Sequence, residues 1–155
     1  MDKRQKMMEL YKKLTSSEIF IEWKSRNRDS FLCSYVMIQA PQFDFYNGDN
    51  TMTSFIMNNE IEIIENEEIY SKTKIKPLDL KKAASEEKAI DVVEKKYSRE
   101  KFTKQIAILQ NSGKQMWNLL FMTSSMKILN VKMDMNNRII SETFEPMAKF
   151  MKQVK

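Results

Sequence analysis

The sequence predicts an α+β fold made of two similar halves, each placing helix ahead of an antiparallel meander. Three observations lead there. Residues at the start of each half carry apolar side chains at i, i+3, i+4 spacing, the stripe of an amphipathic helix. The segments that follow alternate apolar and polar residues at period two, the pattern of half-buried strands. The bends between those segments are marked by asparagine, glycine or serine, which supply turn chemistry.

Met7, Leu10, Tyr11 and Leu14 make the first stripe and predict a helix over about residues 2–15. Thr15-Ser16-Ser17 then reads as a stop followed by an N-cap, with Glu18 in the next first turn. Phe20 and Trp23 predict a short second helix over 18–27, although Ile19, Ile21 and Trp23 also alternate as a strand would. From Phe31 to Ile38 aromatic and β-branched residues read as a strand ended by Pro41. Phe43-Asp44-Phe45 alternates, Asn47-Gly48-Asp49-Asn50 turns, and Met52 to Met57 returns. Asn58-Asn59 turns again into Glu60-Ile61-Glu62-Ile63. The polar, charge-blocked stretch over 65–80 reads as the connector, with its centre at 71–79 ahead of the second half.

In the second half Ser85-Glu86-Glu87 caps a helix whose inward stripe is Ile90, Val93 and Tyr97, with Ala89 beside it. Strands are expected at Gln105–Leu109, Met116–Met122, Ile128–Met133 and Arg138–Ser141, with turns at Asn111–Lys114, Thr123–Ser125 and Asn136-Asn137. The tail from Pro146 carries Met147, Phe150 and Met151, which suit a last helical turn. The domain plan is thus residues 1–70, a connector at 71–79, and residues 80–155. The halves echo each other in sequence. Tyr35–Phe43 resembles Ile106–Met116, Thr51–Met57 resembles Met126–Met133, and Asn58–Ile63 resembles Asn136–Ser141.

The residues from Ser85 onward carry a family resemblance. Ser85-Glu86-Glu87-Lys88-Ala89 fits an S-x-E-x-A helix start; Tyr97, Trp117-Asn118-Leu119 and Asp134-Met135-Asn136-Asn137-Arg138-Ile139-Ile140 follow in order. Together they resemble a PepSY-type domain over about residues 80–144, with the first half a divergent copy and asparagine standing at the usual turn glycine. The resemblance implies PepSY- or cystatin-like sheets packed by helices. It also implies a binding or inhibitory module with no catalytic residues, often tied to peptidases and acting outside the cytoplasm.

Composition bounds the chemistry. The chain has 155 residues, 42% of them hydrophobic and 30% charged, a globular mixture. It holds no histidine and one cysteine, Cys33, so intrachain disulfides, Cys-based zinc sites and histidine general bases are excluded. Cys33 lies in an apolar strand and reads as a buried structural thiol. No apolar run approaches a membrane span, and no signal-peptide core follows the charged first residues, so a reducing, cytoplasmic setting is expected. Gly48 and Gly113 are isolated turn glycines rather than a phosphate loop. Glu60 and Glu62 read as a solvated strand face rather than a cation site, and Asp134–Asn137 as a hairpin turn rather than a calcium loop. A Ser–Lys pair, or an enzyme using carboxylates or a lysine, is left open by the composition, and no spacing selects one. Trp23 and Trp117 read as core or edge anchors, and most of the thirteen methionines as core fillers.

No catalytic, cofactor-binding or metal-binding residue is therefore assigned, and no binding residue either. The reading is a non-catalytic protein- or peptide-binding module without cofactor or membrane span, its partner and oligomeric state undefined. The alternative is nucleic-acid binding. Residues 1–79 hold 11 basic against 13 acidic side chains, and residues 80–155 hold 15 against 8, so the second half is markedly basic.

Overall fold

A computed structural model describes residues 3–71 and 74–149. Phe150 and Met151 of the anticipated tail lie outside them; Met147–Lys149 do begin a helical turn. The chain opens with α1 (Lys3–Thr15) and α2 (Glu18–Arg26), followed by β1 (Phe31–Met37), β2 (Pro41–Tyr46), β3 (Thr51–Met57) and β4 (Ile61–Glu68). A short 3-10 turn (Leu80–Lys82) leads into α3 (Glu86–Lys96), β5 (Phe102–Asn111), β6 (Gln115–Thr123), β7 (Lys127–Met133) and β8 (Ile139–Pro146). The α+β class and the two helix-plus-meander halves are as predicted.

Local chemistry explains the element boundaries. Ser17 caps α2, its hydroxyl accepting from the Phe20 amide at 3.3 Å and donating to the Leu14 carbonyl at 2.6 Å, so one serine ends α1 and starts α2. Phe20 and Trp23 share the buried face of α2, which settles residues 18–26 as helix rather than strand. Ser85 caps α3 in the same manner, with Glu86 and Glu87 in its first turn and Lys95 and Lys96 in its last. Asn50, Met126 and Asn137 take positive φ at hairpin ends, beside Gly48 and Gly113. Met126 is the exception among these turn residues, and nothing in its surroundings explains the choice.

The two meanders do not stack as separate sheets. They form one antiparallel sheet in the order β4-β3-β2-β1-β5-β6-β7-β8. The seam is the β1–β5 pair, with Ser34 opposite Gln110, Tyr35 opposite Leu109, Val36 opposite Ile108 and Met37 opposite Ala107. The described helices α1, α2 and α3 lie on one face. Beneath them runs a single apolar core drawing on both halves, including Leu14, Trp23, Phe43 and Phe55 from the first and Ala89, Val93, Trp117 and Leu129 from the second. Tyr35 and Trp117 meet across the seam edge to face at 6.4 Å.

Two expectations need correction. Residues 65–68 are not connector: β4 runs on to Glu68, with Glu67 opposite Met52 and Glu68 opposite Thr51. A bulge at Asn66, whose φ is +55°, carries the strand past its apolar part. An edge strand solvated beyond its hydrogen-bonding row needs no hydrophobic alternation, so composition alone misread it. The repeat register also shifts. The β1–β2 turn centres on Gln39 and the β5–β6 turn on Gly113, so Phe43 corresponds to Trp117, and not to Met116 as the sequence echo had it. A one-residue slip exchanges the two faces of a strand, so the corrected register is the one that keeps both rings in the core.

Candidate functional site: the helix-free face of the sheet

Among the described residues no group of three or more histidine, cysteine, aspartate or glutamate side chains converges as a metal site. Glu60 and Glu62, the carboxylates considered for a cation, separate: Glu60 sits in the β3–β4 turn and Glu62 is exposed on β4. Asp134 does what a hairpin aspartate does, its Oδ1 accepting from the Asn136 amide at 2.8 Å and the Arg138 amide at 2.9 Å.

A Ser–Lys contact exists but is structural. Lys24 Nζ lies 3.2 Å from Ser30 Oγ and also donates to the carbonyls of Asn27 (3.3 Å), Arg28 (2.8 Å) and Ser30 (2.6 Å). Partial burial lowers its pKa against the opposing pull of Asp29. An ammonium gripping three carbonyls beyond the end of α2 is a helix terminator, since those bonds require the proton a general base must lack.

Cys33 is the residue left over by the bulge in the β1–β2 pairing; it is buried, and its thiol donates to the Asp44 carbonyl at 3.4 Å. Burial first, and then the Asp44 charge, push its pKa from 9.0 to about 12. A raised thiol pKa means the folded state holds its proton where the unfolded chain releases it. The associated stability is complete below pH 9 and is lost as pH climbs from 9 toward 12. We therefore expect Cys33 to resist a thiol reagent at pH 8 in the native protein and to react fully in urea. Rapid native labelling would show that the strand opens.

The surface feature of the molecule is the sheet face turned away from the helices. Alternation along each strand assigns its residues. Asp44 on β2 points to this face and is 4% exposed. Its Oδ1 accepts from Gln42 Nε2 (2.8 Å) and Ser54 Oγ (2.6 Å), and its Oδ2 from Ser34 Oγ (2.6 Å). The carboxylate is thus held in place by neutral donors on its own and both adjacent strands. The pseudo-twofold relation between the halves puts Asn118 at the equivalent place on β6. There the counterparts of Ser34, Gln42 and Ser54 are Ile108, Met116 and Lys132. Asn118 Oδ1 is accordingly buried with no hydrogen-bond partner, and Asn130 Oδ1, one strand further out, is in the same state.

Around those two amides the face is apolar. Val36 and Ile108 pair at the seam, and Ile106, Leu120, Met122 and Ile128 extend the band over β5, β6 and β7. All six are half-buried, with none of the described helices above them. Most of the described methionines fill or flank the core, Met8, Met37 and Met135 packing against it, and three lie on the open face instead. Met7, Met57 and Met133 are core, whereas Met52, Met116 and Met122 belong to the open face. At the lower end of the face, Ile69–Ser71, Lys74 and Ile75 lie beside Cys33, Ser34, Met52 and Gln110 and leave a groove of about 310 Å3.

Sequence reasoning assigned no binding residue, and the alternation it used identifies two faces per strand without saying which one the helices cover. The usable signal was the apolar character of both faces of β5 and β6, where a half-solvated strand has one. Comparison of the chain with protein-family models, with curated proteins and with solved structures finds no match.

Proposed function

We propose that the chain is a non-catalytic, protein-binding module of the kind its PepSY-like features imply, and that it binds through the helix-free face of the sheet. The observation that carries this reading is the pairing of a contiguous apolar band with two orphaned amide oxygens, those of Asn118 and Asn130. An apolar patch rimmed by polar residues is a recurrent mark of protein association. A buried carbonyl oxygen without a donor costs about 1–3 kcal/mol, a cost that a partner bringing N–H groups removes. Lipid would leave both amides unsatisfied.

Nucleic acid suits the surface less well. On the helix-free face Lys104 and Lys132 are offset by Asp44, Glu62 and Glu145, and elsewhere Lys96 pairs with Glu142 and Lys127 with Glu100. Among the described residues no single basic stripe results. Heparin retention that drops steeply between low and moderate salt would favour nucleic acid.

The direct test is selection of displayed random twelve-residue peptides on the immobilised protein. Peptides rich in apolar residues should enrich, and their affinity should fall at least about tenfold against Leu120→Lys. A substitution on the exposed side of α3, Lys88→Ala, should leave it unchanged. Failure to enrich, or binding indifferent to Leu120→Lys, refutes the assignment of the face.

A further inference from the structure

The rows of side chains that cross the helix-free face are complementary to themselves when reversed. Through the seam, from β4 to β8, one row reads Glu62, Ile56, Gln42, Val36, Ile108, Asn118, Lys132, Ser141. Laid against a reversed copy, Val36 meets Ile108, Gln42 meets Asn118, and Glu62 comes beside Lys132. Extending the alternation past the last paired residues into the turns sets Ile38 over Ile106, Ala40 over Leu120 and Asn58 over Asn130. Both orphaned amides thus face an amide, and Ile38, 48% exposed on the monomer, gains an apolar cover.

We propose that the occupant of the helix-free face is a second copy of this chain, turned about a twofold axis running along the strands at the β1–β5 seam. The proposal rests on reading that face as the binding surface. A twofold interface must be isologous, each patch meeting its own image; the positions nearest the axis meet like with like, whereas further out Glu62 lies over Ser141 and Lys132 over Ile56, so that Glu62 and Lys132 are diagonal neighbours one strand apart. Gln42 gives one amide hydrogen to Asp44 and keeps a second for the partner's Asn118.

Charge selects this rotation over the other. An axis along the strands sets the acidic first half of one copy over the basic second half of its partner, placing Glu62 within reach of Lys132. An axis across the strands through the same centre sets acid on acid and base on base. The size is adequate. Eight strands spaced about 4.8 Å apart span roughly 34 Å, and the two rows together with a third, which sets Ser34 over Gln110 and Asp44 over Met116, cover roughly 20 Å along the strands. The footprint is on the order of 700 Å2 per copy, against about 800 Å2 per partner in a typical specific interface.

Sedimentation equilibrium with two charge-reversal variants tests it. The wild-type chain is expected to be a dimer at tens of micromolar. Glu62→Lys and Lys132→Glu each place like charges across the interface twice and should weaken self-association at least about tenfold. Mixed in equal amounts, each variant supplies the charge that the other has lost. One contact keeps its native Glu62–Lys132 pair and the other carries the same pair with both signs exchanged, so the mixture should recover the dimer. Both positions are exposed, and a far-ultraviolet spectrum identical to the parent confirms that folding is unaffected. A monomeric wild type, a dimer indifferent to both variants, or a mixture that stays monomeric each overturns the proposal. The two readings separate cleanly. A monomer that still captures peptides through Leu120 removes the second copy and keeps the binding module. A charge-sensitive dimer that captures no peptide does the reverse.

Discussion

Replacing Trp117 with alanine should lower the unfolding free energy by about 3–5 kcal/mol, the usual cost of removing a fully buried indole. Trp117 is 1% exposed, and its surroundings leave little room for collapse. Its ring sits on β6 beneath the start of α3 and meets Tyr35 of β1 across the seam. Its Nε1 donates to the Ala84 carbonyl at 2.8 Å, which fixes the chain immediately before the α3 cap. Truncation therefore opens a cavity and strips a partly buried carbonyl of its donor at once. Trp117→Phe separates the two effects: it keeps most of the apolar area and loses the hydrogen bond, and should cost about 1–3 kcal/mol. Urea denaturation followed by circular dichroism reads both. An alanine variant that melts with the parent would place the indole at the surface and void the seam argument.

Trp23→Ala should be comparably costly, again about 3–5 kcal/mol, from the opposite end of the molecule. Trp23 lies on α2 against Phe45 at 5.3 Å and Phe55 at 5.1 Å, both edge to face, with Phe20 beside it at 5.8 Å. This aromatic cluster belongs to the same continuous core as Trp117. The informative measurement is the shape of the transition. With β1 hydrogen-bonded to β5 and one core spanning the seam, both tryptophan variants should unfold in one step shared by far- and near-ultraviolet signals. A biphasic curve, with one half melting ahead of the other, would mean that the seam couples the halves weakly and that each stands alone.

Much of the fold was legible because its signals are local. Ser17 and Ser85 sit where a hydroxyl can reach an amide three residues on, and both cap helices. Met7 and Leu14 face inward on α1 as their spacing requires. The Asn-bearing bends fell where expected; Asn50 and Asn137 take the positive φ that asparagine tolerates, whereas Asn58-Asn59 turns without it. What failed had no local signal. Glu65–Glu68 extend β4 because β3 offers them partners, a fact written in residues 51–52 and not in their own polarity. Leu78 and Leu80 are core residues inside a segment read as linker, held there when the Leu78 amide bonds the Leu32 carbonyl at 2.9 Å.

The candidate site was less legible still. Asn118 and Asn130 look like ordinary polar positions on alternating strands. Their significance appears only when Asn118 is superposed on Asp44 and its would-be donors prove to be isoleucine, methionine and lysine.

The sequence by itself determined the class of element at nearly every position, the helix caps, the bends and the exclusion of histidine- and disulfide-based chemistry. These follow from backbone preference and side-chain inventory, which act within a few residues. Only the tertiary structure decided that two meanders merge into one sheet, that the helices all cover the same side, and that an apolar side is left open. Those choices depend on which edge strands meet and which face buries more area, quantities that belong to residues some seventy positions apart in the chain, such as Tyr35 and Leu109.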